Sequence, residues 1–180
     1  MALVAVRESM RARVLAENVL LERLVVDLGR DGFDPAVAFD GEGRLGVVPV
    51  FTLGPGDLRV EKLGNAWKAG WRYFWIHPAI DVGAVISIAR DGKGAPQLLR
   101  YQWGGLATEY AGRLDRLVQG CLDLAGRQRL RILRLAPLQM EALWLTCREF
   151  DRLVGLRPEL EDQDFLDEAE LKYAATRGKA

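Results

Sequence analysis

Residues 104–147 constrain the fold more than any other stretch, because they read as helix, turn, strand, turn, strand. Leu106, Tyr110, Leu114, Leu117, Cys121 and Leu124 recur at steps of four and three residues and so share one helical face. Gly104 and Gly105 open this helix and Gly126 closes it, where a residue able to adopt positive φ is wanted. Apolar segments 130–135 and 140–145 follow, split by Ala136-Pro137. The pattern predicts a layer of helix against sheet. It carries no chemistry of its own.

The remainder of the chain supplies the other layers. Residues 4–28 predict a long helix with Val6, Met10, Val14, Leu21, Leu24 and Leu28 as its apolar stripe, ended by Gly29-Arg30-Asp31-Gly32. Segments 36–39 and 45–53 flank Asp40-Gly41-Glu42-Gly43 and predict a first hairpin. Segments 82–90 and 97–103 flank Asp91-Gly92-Lys93-Gly94 and predict a second. The first arm of that second hairpin is apolar or small on both faces, which suits a central strand. Phe165, Ala169 and Tyr173 predict a C-terminal helix with acids toward its start and bases toward its end. The expected fold is therefore α+β: an antiparallel or mixed sheet of about six strands packed against a long N-terminal helix and the helix over 105–125. A parallel crossover from 97–103 to the strand after that helix is the expected connection. The chain reads as one domain over residues 1–180, with 158–180 as an appended acidic helix.

Composition narrows the function classes. The formal charge is zero, so no whole-molecule field draws the chain to nucleic acid or anionic lipid. Two cysteines imply no disulfide framework, and no signal-peptide pattern or membrane-length apolar run is present, so a cytoplasmic protein is expected. Arg outnumbers Lys while Ser and Asn are scarce, as GC-rich bacterial coding favours.

Gly41, Gly43 and Gly46 satisfy G-x-G-x-x-G, but Val47-Val48-Pro49-Val50-Phe51 follows. A dinucleotide turn needs a helix there, so these glycines read as turn residues. One His and two separated Cys do not make a zinc set, and Asp27, Asp31 and Asp34 lack the spacing of a calcium loop. No cofactor is expected. Residues 65–78 hold Trp67, Trp71, Tyr73, Phe74 and Trp75, and Asn65 could cap a short helix placing Trp67, Trp71 and either Phe74 or Trp75 on one face. This aromatic cluster reads as core or as a contact surface. Arg129 and Arg131 share a face of the strand after the central helix, and a solvated edge strand is the preferred reading over a nucleic-acid groove.

Leu135-Ala136-Pro137-Leu138 followed by Glu141-Ala142-Leu143-Trp144-Leu145 resembles a strand pair near the C-terminus of assorted bacterial proteins of unknown function. The resemblance spans about a tenth of the chain and implies no activity, substrate or site residue.

Charge is divided along the chain. Residues 90–134 hold nine Lys/Arg against four Asp/Glu, a net of +5, and residues 141–180 hold six against ten, a net of −4. Three functions stay open. The first is a non-catalytic interaction or assembly module of the bacterial cytosol, binding another protein or itself through these patches. The second is a small-molecule domain with a pocket walled by Trp67, Trp71, Tyr101 and Trp103. The third is an enzyme using His77 with Cys147 or a carboxylate.

Overall fold

The computed structural model describes residues 9–54, 60–122, 129–135, 140–146 and 151–155. In chain order the elements are α1 (Met10–Arg30), a short 3₁₀ helix (Pro35–Phe39), β1 (Arg44–Thr52), a second 3₁₀ helix (Val60–Asn65), β2 (Trp67–His77), β3 (Val82–Arg90), β4 (Pro96–Trp103), α2 (Gly105–Leu122), β5 (Arg129–Leu135), β6 (Met140–Thr146) and β7 (Asp151–Gly155). The fold is α+β with a mixed sheet in the order β4-β3-β2-β1-β5-β6-β7. The expected C-terminal helix, Val6 and Cys147 lie outside the described residues.

Two compact units divide the chain: residues 7–48 with 70–123, and residues 49–69 with 124–180. In the first unit, strand alternation decides which helix each side chain meets. Trp71, Tyr73 and Trp75 of β2 and Ala84, Ile86 and Ile88 of β3 join Ala12, Ala16, Val19, Leu20, Leu24 and Leu28 of α1 in one core. The opposite face of the same strands meets α2: Arg72 Nη1 donates to Tyr110 Oη at 2.8 Å, and the Gly83 amide donates to Thr108 Oγ1 at 2.9 Å. Among the described residues α2 buries Ala107, Ala111, Leu114 and Asp115.

The second hairpin forms as its sequence predicts. β3 and β4 pair antiparallel, and Asp91 Oδ1 accepts from the amides of Lys93 and Ala95 across the turn. β3 is flanked on both sides and β4 closes the order at one end.

Several expectations are corrected. The first hairpin does not form, because 35–39 is a 3₁₀ turn: Asp34 accepts from the Ala36 amide and Pro35 supplies a φ suited to a helix start. Residues 67–77 form a strand and not a helix. Their aromatic content fits a pleated surface, and alternation sends Phe74 to the side opposite Trp71, Tyr73 and Trp75. An aromatic cluster on one helical face is therefore absent.

The α1 stripe is also shifted. Ala12 and Ala16 are buried where Met10, Val14 and Leu21 were expected, because small residues let the helix approach the tryptophan-bearing sheet. On α2, Leu106 is likewise exposed instead of buried.

In the second unit Leu53, Leu63, Leu133, Leu135, Ala142 and Trp144 form the core, with Phe51 and Ala66 against it. β5 and β6 pair antiparallel, as the sequence predicts for 130–135 and 140–145. The parallel partner of β5 is β1, with Val50 opposite Ile132, and not the 97–103 strand. β5 is thus flanked on both sides, so the edge-strand reading of Arg129 and Arg131 is corrected.

Candidate functional site

The turn after the first 3₁₀ helix carries the densest group of functional side chains among the described residues. Asp40 Oδ1 accepts from the Glu42 amide at 2.8 Å, which closes the turn and leaves Oδ2 for other partners. Gly41 sits at φ +84°, a conformation that favours glycine. Gly43 lets the backbone lie on the Trp75 indole, since a Cβ there would stand 2.6 Å from Trp75 Nε1. The turn is thereby laid over the end of β2, where His77 lies.

His77 is 2% exposed, and its Nε2 stands 2.9 Å from Asp40 Oδ2. This hydrogen bond, helped by the Glu42 amide, holds the Asp40 carboxyl below the usual carboxylate value. With Asp40 ionised, Nε2 carries the hydrogen and donates. The other ring nitrogen, Nδ1, is buried without a hydrogen-bond partner among the described residues. Glu42 completes the group: one ligand atom from each of Asp40, Glu42 and His77 lies within 4.8 Å of the others. The imidazole is buried while both carboxylate residues are exposed.

The residues singled out from sequence are distributed differently. Trp71 is buried in the α1 core, and Tyr101 and Trp103 pack against that core. Tyr101 Oη donates to Asp27 Oδ2 at 2.9 Å, and Trp103 Nε1 donates to Asp31 Oδ2 at 2.6 Å. Of the three aspartates around the end of α1, Asp27 and Asp31 therefore dock β4 on the helix end, and Asp34 caps the 3₁₀ turn. Trp67 belongs to the second unit and is 52% exposed. Arg129 begins β5, with its backbone opposite Thr146. Arg131 lies between two rings, its guanidinium 4.6 Å from the centre of Phe51 and 4.8 Å from that of Trp144. Cys121 lies within α2. The structure brings His77 together with a carboxylate, Asp40, whose sequence signal was only that of a turn.

A second feature is the outer side of α1. Met10 is 75% exposed, and Val14 and Leu21 are about half exposed, with Asn18 exposed between them and Val25 partly buried. These apolar positions lie at steps of four, seven and four, which is one stripe of a helix. Arg13 and Glu17 form an ion pair at 2.8 Å beside it. No described helix is long and apolar enough to cross a membrane.

In comparisons with family models, curated proteins and solved structures, nothing matches this chain.

Proposed function

We propose that this chain is a non-catalytic assembly module that pairs with a second copy of itself through the outer face of α1. One observation carries the reading: the apolar stripe Met10, Val14, Leu21 and Val25 is symmetric about the point between Glu17 and Asn18. Antiparallel pairing about that point sets Met10 against Val25 of the second copy and Val14 against Leu21. A two-fold contact requires a self-complementary surface of this kind. The apolar positions supply the attraction, and their symmetric spacing fixes the register.

The opposed patches at 90–134 and 141–180 are a different route to self-association. The acidic patch falls mostly outside the described residues, and Arg131 of the basic patch lies against the rings of Phe51 and Trp144. Support therefore rests with α1. The rings of Trp71, Tyr101 and Trp103 are engaged in packing and hydrogen bonds, which favours an assembly role over a ring-walled pocket. The scarcity of cysteine suits the bacterial cytosol as the place of action.

Light scattering and sedimentation across a concentration series test this reading. The expected result is a concentration-dependent dimer that Leu21→Arg weakens about tenfold or more, in line with the transfer energy of a leucine. A strict monomer at every concentration, or a dimer indifferent to Leu21→Arg in a protein of unchanged circular dichroism, overturns the proposal.

A further inference from the structure

We propose that Asp40, Glu42 and His77 form a binding site for a divalent transition ion of the zinc class. This inference is independent of the α1 face and survives its failure. The donor set is one imidazole nitrogen and two carboxylates, the borderline-hard combination that zinc and its neighbours accept. The three ligand atoms already lie within 4.8 Å of one another. In a tetrahedral shell with bonds near 2.0 Å, adjacent donors stand about 3.3 Å apart. His77 Nε2 and Asp40 Oδ2 are 2.9 Å apart, so a few tenths of an ångström of opening admits an ion between them.

The surroundings are built in the same sense. Asp40 is oriented through its other oxygen by the Glu42 amide, a supporting contact of the kind that fixes ligating carboxylates. The imidazole forms a buried floor while Asp40 and Glu42 are exposed, which leaves a path from solvent. His77 Nδ1 has no partner among the described residues, so only Asp40 sets the tautomer. The ring can move its hydrogen to Nδ1 and present the Nε2 lone pair to an ion, with no net release of a proton. Arg44, the next cation along the chain, is engaged by Asp115 at 3.0 Å and does not neutralise the two carboxylates. Three protein ligands leave a fourth position for water or a small anion.

The test uses the full chain, freed of metal by chelation and titrated with Co²⁺, then with Zn²⁺ in competition. The expected result is one Co²⁺ per chain with the visible absorption of a tetrahedral nitrogen–oxygen site and no thiolate charge-transfer band, displaced by one Zn²⁺. Glu42→Gln and Asp40→Asn should each weaken binding at least about tenfold. Both positions are exposed, and Asn keeps the oxygen that accepts from the Glu42 amide, so the fold is retained; circular dichroism checks this. His77→Gln should abolish the cobalt spectrum. Absence of uptake by the folded wild-type chain overturns the proposal. So does uptake unchanged in Glu42→Gln and Asp40→Asn, or a spectrum with a thiolate band, which would place the ion on cysteine.

Discussion

Tyr101 shows how far the fold alters a single side chain. Burial comes first, and its hydrogen bond to the Asp27 carboxylate adds to it; together they push its phenol well above the ordinary tyrosine range. A raised pKa means that the fold favours the neutral phenol. That stabilisation is complete below the ordinary value of 10.0 and is lost as pH climbs through the higher folded value. Ultraviolet titration should therefore show Tyr101 ionising after an ordinary tyrosine, together with loss of helical circular dichroism. Tyr101→Phe should cost about 1 kcal/mol at neutral pH and remove this alkaline loss of stability. Asp31 acts in the opposite direction. Its hydrogen bond from the Trp103 indole holds its carboxyl below the usual value, so its contribution is present above the ordinary carboxylate range and fades as pH falls. Gly46 is a third such position, because a Cβ there would overlap the Phe74 ring. Gly46→Ala should destabilise the protein by about 1–3 kcal/mol in urea unfolding, since the buried ring must shift. None of these three was legible in the sequence. A glycine that read as a turn residue and lies in β1, a strand tyrosine and a helix-end aspartate are individually commonplace, and only the pairing of elements gives them partners.

At the scale of the element, periodicity located α1, α2, the β3–β4 hairpin and the β5–β6 pair. It failed where the residues did not specify a period uniquely. Residues 67–77 hold large rings at spacings compatible with three to four residues, but the strand buries Trp71, Tyr73 and Trp75 at steps of two. The aromatic bias of the segment was the signal that could have decided it. On α1, apolar residues exceed what one face needs, so the sequence left two stripes possible. The tryptophans across the interface select the stripe with Ala12 and Ala16, and the other stripe is left on the outside. That surplus of apolar positions is the element-level origin of the pairing surface. Asp34 offers a simpler check at this scale. Asp34→Ala should cost about 1 kcal/mol, the usual value of an N-cap, because the Ala36 amide loses its acceptor.

For the whole molecule, zero formal charge conceals a positive and a negative segment, and salt separates two ways in which copies could meet. Between about 0.1 M and 1 M salt the screening length falls from about 10 Å to 3 Å. Association through the apolar stripe of α1 should weaken by less than about tenfold over that range in sedimentation. Complete dissociation would instead indicate a contact between the 90–134 and 141–180 segments. The sequence allowed the α+β class to be read because helix and strand periods alternate clearly along much of the chain. It could not give the strand order, since β1 and β5 are joined by no short connection. The Asp40–Glu42–His77 group was hidden for the same reason: the turn and the end of β2 are distant in sequence and meet only through the fold.

The parallel pairing of β1 with β5 has a consequence for the birth of the protein. Thr52 and Arg134, joined by a hydrogen bond of 3.1 Å, are 82 residues apart. At about 5–20 residues per second, a ribosome needs about 4–16 s to go from one to the other. By the end of that interval every strand and helix segment needed for the α1 core has been translated, while Leu53 and Leu63 still lack Leu133, Leu135 and Trp144. The nascent chain should therefore engage holding chaperones in that window, and release from them should coincide with the emergence of β6 from the exit tunnel.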